Sequence, residues 1–131
     1  MACSVPRSPS ARRRGFTLIE LLVVLAILAL LMTIAVPRFF RSMDQSKETV
    51  LRENLHITRE VIDKFYGDNG RYPESLDELV LRRYLREIPV DPITESRATW
   101  VLVPPETGSG VYSIQSGAPG VARSGIPFGQ L

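Results

Sequence analysis

The sequence predicts an α+β protein in which a short helix and a small antiparallel sheet pack on the second half of one long N-terminal helix. Three observations carry this prediction. Residues 16–36 form an apolar run with a single charge, residues 37–66 continue with helical spacing, and two short β-rich runs lie in the C-terminal third. Apolar spacings of three, four and seven indicate an amphipathic helix, whereas short runs of β-branched and aromatic residues favour strands.

The chain is expected to divide into five segments. They are a basic leader peptide (1–15), a membrane-spanning and assembly helix (16–36), an amphipathic continuation of that helix (37–66), a small globular α+β head (67–115) and a Gly-rich tail (116–131). A length of 131 residues leaves room for one small domain after the leader and the span. Cys3 is the single cysteine, so no disulfide within the chain stabilises the head.

Charge is distributed unevenly along the chain. The formal net charge is +2, but Arg7, Arg12, Arg13 and Arg14 all precede Gly15. Without these four arginines, 12 basic residues face 14 acidic ones. A slightly acidic remainder argues against a broad nucleic-acid surface, and no nucleic-acid partner is expected.

The apolar run at residues 16–36 is long enough to cross a bilayer. Its 21 residues would make a helix roughly 31 Å long. A cluster of three arginines, residues 12–14, lies at its N-terminal side, whereas a single arginine, Arg38, lies comparably close to its C-terminal side. This imbalance places residues 1–15 in the cytoplasm and the C-terminal domain on the other side. A cleaved secretory signal would have an apolar region of about 7–15 residues and a small-residue cleavage site, and the run fits neither property.

Glu20 is the one charged residue of this run. A carboxylate in a membrane helix costs about 2.5–3.5 kcal/mol on insertion scales, so it needs a partner or water. Two interpretations are open. Glu20 lies near the cytoplasmic interface and reaches water, or the cation of a neighbouring subunit neutralises it when helices pack together.

Residues 14–22 read Arg-Gly-Phe-Thr-Leu-Ile-Glu-Leu-Leu. This stretch resembles the processing motif of type IV prepilins and type II secretion pseudopilins. The resemblance implies a pilin-like fold, cleavage after Gly15 by a prepilin peptidase and methylation of the new amine of Phe16. It also implies that Glu20 pairs with the N-terminus of a neighbouring subunit during assembly, and a charge pair of this kind needs completion only on assembly.

Pro37 follows the apolar run, at a position where these families commonly have a proline. Proline removes a backbone hydrogen bond and clashes with the preceding turn, which predicts a kink or local melting of the helix. The other interpretation is that the helix ends at the membrane surface. Renewed helical spacing after Pro37 favours the kink.

Turn and cap signals divide the remaining sequence. Residues 67–70 (Gly-Asp-Asn-Gly) should end the long helix, and Ser75 opens a capping box for a short helix that reaches about Leu81. The runs 99–103 and 111–115 predict a hairpin. For the Gly-rich tail two outcomes are open: packing of Ile126 and Phe128 on the core, or disorder.

The head sequence sharpens the resemblance. Residues 65–73 (Phe-Tyr-Gly-Asp-Asn-Gly-Arg-Tyr-Pro) and 88–92 (Ile-Pro-Val-Asp-Pro) are similar in order and spacing to the major pseudopilin of type II secretion. Type IV pilins usually carry a C-terminal cysteine pair, which this sequence lacks. Major pseudopilins usually bind calcium through the C-terminal loop, but here no Asp or Glu follows Glu106. Calcium prefers several hard oxygens including carboxylates, so this site is expected to be lost and no cofactor is expected.

Other residues that could carry chemistry have simpler interpretations. His56 is expected on the helix surface, because no zinc-ligand cluster surrounds it in the sequence. Residues 68–70 fit a turn better than a calcium loop, and the arginines of 82–86 fit a solvated face neutralised by nearby acids. Trp100 and Tyr112 are expected in the core. No catalytic motif is present, so an enzyme is not expected.

The resemblance therefore implies a structural subunit of a type II secretion pseudopilus in the bacterial inner membrane. The head would be periplasmic, and filament growth would drive protein export. Implied partners are further copies of the chain, minor pseudopilins, the prepilin peptidase, the inner-membrane assembly platform and membrane lipid. The alternatives are a type IV pilin or minor pilin for adhesion, motility or DNA uptake, and a plain signal-anchored protein that stays uncut.

Overall fold

The computed structural model describes residues 1–6 and 14–131. Residues 7–13 of the basic leader, which include Arg7, Arg12 and Arg13, lie outside the described residues. The chain divides into two compact units, Met1–Phe39 and Phe40–Leu131. The first unit carries the apolar segment, and the second is the globular head.

The long helix, α1, spans Leu18–Asn69. It continues through Pro37 and does not end there. The predicted end at Tyr66 is too early, because Gly67, Asp68 and Asn69 still belong to α1. Gly70 then takes a φ of +68°, the left-handed conformation that commonly follows a helix C-terminus.

One face of α1 supplies the centre of the core of the head. Its buried residues recur at alternating spacings of four and three, which keeps them on a single stripe: Leu51, Leu55, Thr58, Ile62 and Phe65. Val50 and Ile57, which also belong to the apolar pattern, remain about half exposed. The core therefore uses only part of the apolar surface of the helix.

The second helix, α2, spans Leu76–Leu81. Its predicted N-cap is confirmed, because the Ser75 hydroxyl accepts a hydrogen bond from the Glu78 backbone N–H at 3.3 Å. The Glu78 carboxylate reaches back one residue further than in a standard capping box and accepts from the Glu74 N–H at 2.7 Å. Arg83, with a φ of +63°, ends this turn.

Two short antiparallel strands complete the predicted hairpin. Strand β1 is Trp100–Val103, strand β2 is Ser113–Ser116, and Trp100 lies opposite Ser116. Trp100 is buried as predicted, and its indole N–H donates to the Pro89 carbonyl at 2.8 Å. The prediction for Tyr112 is wrong, since half of this residue is exposed. Tyr112 precedes β2 and makes an edge contact with Tyr72 instead of entering the core.

The Gly-rich segment after β2 is part of the folded head. An isolated antiparallel bridge joins Val121 to Pro127, and a 3₁₀ helix spans Phe128–Gln130. Phe128 packs against the core, which is the first of the two outcomes left open by the sequence. Ile126 remains exposed, so the packing outcome holds for Phe128 and not for Ile126. A boundary at residue 116 therefore does not separate a tail from the head.

Candidate functional site: the segment around Gly15 and Glu20

The peptide bond between Gly15 and Phe16 lies just before the first turn of α1. Both residues are exposed in irregular backbone, and the exposed fraction of Phe16 is 91%. A Cβ atom added to Gly15 would meet nothing within 4 Å. This bond is therefore open to an external peptidase, and a methyl group at Gly15 would not disturb the chain itself.

Thr17 and Glu20 form a reciprocal cap at the start of α1. The Thr17 N–H donates to Glu20 Oε2 at 3.2 Å, and the Glu20 N–H donates to the Thr17 hydroxyl oxygen at 3.2 Å. This is a capping box, in which each side chain satisfies a backbone N–H that the helix leaves free. The Thr-x-x-Glu spacing is visible in the sequence, yet sequence reasoning treated Glu20 only as a charge in the membrane.

The helical segment that follows carries apolar side chains on every side. Between Leu18 and Val36 all of these side chains are exposed in the isolated chain. Among the described residues, α1 is the one helix long and apolar enough to cross a membrane. Its polar Thr33 is satisfied internally, because the hydroxyl donates to the Ala29 carbonyl at 2.9 Å. Such a segment requires lipid or other helices around it.

Pro37 follows the last residue of the apolar segment and lies inside α1. Proline has no N–H, so the carbonyl of Thr33 loses the donor that an ordinary helix would provide at this position. The kink predicted at Pro37 stays a prediction.

The other candidate residues lie in the head and have structural roles. His56 is on the surface of α1 as predicted, with its Nε2 atom 3.2 Å from a Glu60 carboxylate oxygen. Asp68 accepts a hydrogen bond from the Tyr84 hydroxyl at 2.8 Å, at the end of α1. In the described part of the chain, no group of three or more His, Cys, Asp or Glu side chains is placed to hold a metal ion.

The arginines of residues 82–86 are partly neutralised, as predicted. Arg82 lies 3.5 Å from Glu78, which also receives a 2.6 Å hydrogen bond from Arg71. The Arg71 hydrogen bond is the main reason that the pKa of Glu78 lies below its usual range. Both guanidinium groups also approach the ring of Phe65, at 5.3 Å and 5.9 Å from its centroid. This cluster stabilises the junction between α1 and α2.

Comparison with known proteins agrees with this geometry. The prokaryotic N-terminal methylation motif matches residues 10–36. The type II secretion system core protein G of Pseudomonas aeruginosa is 33% identical over 97 residues, covering 62% of this chain and 68% of the relative. Core protein G of Klebsiella pneumoniae is 30% identical over 97 residues, covering 62% of this chain and 69% of the relative.

A pilin is also similar. The type IV major pilin protein PilA of Myxococcus xanthus is 37% identical over 68 residues. That match covers 52% of this chain and 31% of the pilin, so the chain spans about a third of this relative. No solved structure matches the chain significantly.

The methylation motif, the apolar helix and the small α+β head together define a prepilin-like pseudopilin. Because core protein G of P. aeruginosa is matched over two thirds of its length, the alignment reaches beyond the N-terminal motif. The chain belongs to the type II secretion system core protein G family.

Proposed function

We propose that this chain is a structural subunit of a type II secretion pseudopilus. A prepilin peptidase cleaves it after Gly15, Phe16 is methylated, and the processed subunit joins a periplasmic filament that drives protein export. The observation that carries the proposal is an accessible Gly15–Phe16 bond directly before a capped helix whose apolar residues are exposed. The proposed role is structural, without catalysis.

In the proposed topology α1 crosses the inner membrane once. The N-terminus is cytoplasmic and the head is periplasmic, as the arginines before Gly15 favour. On assembly the apolar segment leaves lipid and packs among the same segments of other subunits, so its surface avoids water in both states. The proposed partners are further copies, minor pseudopilins, the peptidase, the inner-membrane assembly platform and lipid.

Glu20 has two successive partners in this proposal. Before assembly its carboxylate accepts from the Thr17 N–H and lies 3.4 Å from the Thr17 hydroxyl. Cleavage creates an ammonium group on Phe16, one residue before Thr17. In the filament the Glu20 carboxylate pairs with the Phe16 ammonium of a neighbour, which compensates its charge in a low-dielectric core.

Cleavage is tested by intact-mass and N-terminal analysis of chain extracted from membranes that also contain a prepilin peptidase. We expect the wild type to begin at methylated Phe16 and Gly15→Ala to keep its leader. Since a Cβ at Gly15 meets nothing within 4 Å, the substitution acts on recognition by the peptidase and leaves folding unchanged. Gly67→Ala is the matched control, because its Cβ also meets nothing, and it should be processed normally. A wild-type chain that still begins at Met1 or Ala2 would contradict the proposal and favour an uncut, signal-anchored protein.

The role of Glu20 is tested by comparing Glu20→Gln with Glu20→Ala. Glutamine keeps an oxygen for the Thr17 N–H and removes the charge, whereas alanine removes both. We expect Glu20→Gln to be inserted and cleaved but not to form the filaments that electron microscopy of isolated cell envelopes should show for the wild type. Normal filaments from Glu20→Gln would show that the residue acts through the cap alone. Long surface filaments independent of the secretion machinery would favour the type IV pilin alternative.

A further inference from the structure

The calcium site implied by the family does not fit this head. Calcium takes about six to eight oxygen ligands, normally with carboxylates among them. No acidic residue follows Glu106, and residues 115–125 read Gln-Ser-Gly-Ala-Pro-Gly-Val-Ala-Arg-Ser-Gly. The only charged residue of this stretch is Arg123, a cation. A different interaction must therefore hold the segment after β2, here called the C-terminal segment (residues 117–131).

Arg59 of α1 connects the helix to both β2 and the C-terminal segment. Its Nε atom donates to the Ser113 hydroxyl at 3.1 Å, and its Nη2 atom donates to the Ile114 carbonyl at 2.9 Å. The same Nη2 atom donates to the main-chain oxygen of Leu131 at 2.8 Å. The guanidinium thus gathers three oxygen atoms from two segments, as a bound cation would do.

A second attachment lies on an earlier turn of α1. The Arg123 N–H donates to a Glu48 carboxylate oxygen at 3.1 Å, and its guanidinium donates to the Gln45 side chain at 3.0 Å. The backbone hydrogen bond from Arg123 is the largest cause of a lowered pKa at Glu48. A third attachment runs through Ser116, whose hydroxyl donates to Asp91 and accepts from the Ala118 N–H.

Apolar contacts complete the attachment. Ala118 and Ala122 are buried, and Phe128 and Leu131 pack against the core of the head. The two alanines are small and the two larger side chains are only partly buried, so these groups provide limited burial without the polar contacts that fix the backbone. The partly buried Arg59 is placed between β2 and Leu131, where it joins both.

We propose that Arg59 takes the place of the family's calcium ion and makes the fold of the C-terminal segment independent of metal. A guanidinium presents several N–H donors in a fixed plane, which suits the hydroxyl oxygen of Ser113 and the main-chain oxygens of Ile114 and Leu131. The cation is part of the chain, so the segment stays ordered when divalent ions are removed. The proposal concerns the head alone and stands whether or not the chain forms a filament.

Trypsin offers a local assay, because Arg123 is the only basic residue after Arg97. The full chain is digested in detergent, and cleavage after Arg123 releases the peptide of residues 124–131. Mass spectrometry then measures the amount of this peptide over time. The wild type should release this peptide in excess EDTA and in excess CaCl₂ at rates that differ by no more than about twofold. The cleavage rate follows the fraction of molecules in which the C-terminal segment is open, and calcium should not change that fraction. Arg59→Met keeps the aliphatic stem and removes the donors, and it should raise release about tenfold or more in both conditions.

Lys64→Met is the matched control, an exposed cation on the same helix, and it should release the peptide at the wild-type rate. Arg59→Lys keeps the charge without the planar group of donors and should be intermediate. The emission of Trp100, the single tryptophan, reports whether the rest of the head remains folded in each variant. Faster release from wild type in EDTA than in CaCl₂ would overturn the proposal without any variant. Unchanged release from Arg59→Met would overturn it as well.

Discussion

Asp91 offers a quantitative test of how the head is stabilised. It is fully buried, and one carboxylate oxygen accepts from the N–H groups of Ile93 and Thr94, at 2.8 Å and 3.4 Å. The other oxygen accepts from the Ser116 hydroxyl. Asp91 therefore joins the turn before β1 to the end of β2, and its removal leaves a buried hydroxyl and two partly buried N–H groups without this acceptor.

The expected cost depends on which acceptors a substitution keeps. Asp91→Ala loses all three hydrogen bonds and should lower the free energy of unfolding by about 3–4 kcal/mol. Asp91→Asn keeps the oxygen that serves Ile93 and Thr94 and loses the charged acceptor for Ser116, so it should cost about 1–1.5 kcal/mol. The two variants should differ by about 2 kcal/mol, the contribution of the two backbone contacts.

Urea unfolding of the full chain in detergent, followed by Trp100 emission, measures these differences. With a slope of about 1 kcal/mol per molar urea, Asp91→Ala should lower the midpoint by about 3 M and Asp91→Asn by about 1 M. Glu95→Gln is the control in the same turn, because Glu95 is exposed and its 3.8 Å ion pair with Lys47 contributes little. Equal midpoints for Asp91→Ala and Asp91→Asn would refute the reasoning, since the retained oxygen would then contribute nothing.

Outcomes are also expected for three further variants. Gly117→Ala places a Cβ 2.1 Å from the Thr99 carbonyl oxygen and should lower the free energy of unfolding by at least about 2 kcal/mol in the same urea assay. Gly67→Ala lies within α1, and its added Cβ meets nothing within 4 Å, so it should raise the free energy of unfolding by about 0.5–1 kcal/mol. A similar loss of stability for Gly117→Ala and Gly67→Ala would contradict the steric argument. The Arg71 hydrogen bond lowers the folded-state pKa of Glu78, so its stabilisation is present above the ordinary range of a glutamate and lost as pH falls. Urea midpoints measured across that acidic range should fall less steeply for Glu78→Gln than for wild type, and parallel slopes would show that the pair does not stabilise the head.

The elements that local sequence signals define were predictable. The cap of α2 follows from the spacing of Ser75 and Glu78. The membrane-spanning character of residues 16–36 follows from the length and apolar composition of that run. The end of α1 was less predictable, since Gly67 disfavours a helix only by about 1 kcal/mol and burial of Phe65, two residues earlier, outweighs this cost.

Contacts between distant residues were not predictable. The Gly-rich composition of residues 116–131 indicated weak burial, but its order depends on Arg59, whose partners are 54 to 72 residues away. Nothing in the sequence near Arg59 distinguishes it from the other charged residues of α1. The cap between Thr17 and Glu20 is different, because its spacing was visible and only its interpretation was incomplete.

The 72-residue separation between Arg59 and Leu131 has a consequence for the order of folding. The helix face that carries Arg59 emerges early during synthesis, while its last partner emerges much later. Contacts between residues so far apart form slowly, because a long loop must close first. The head should therefore become resistant to proteases only after Leu131 has been synthesised and released, and a chain arrested during synthesis would expose the face of α1 that Leu131 helps to cover.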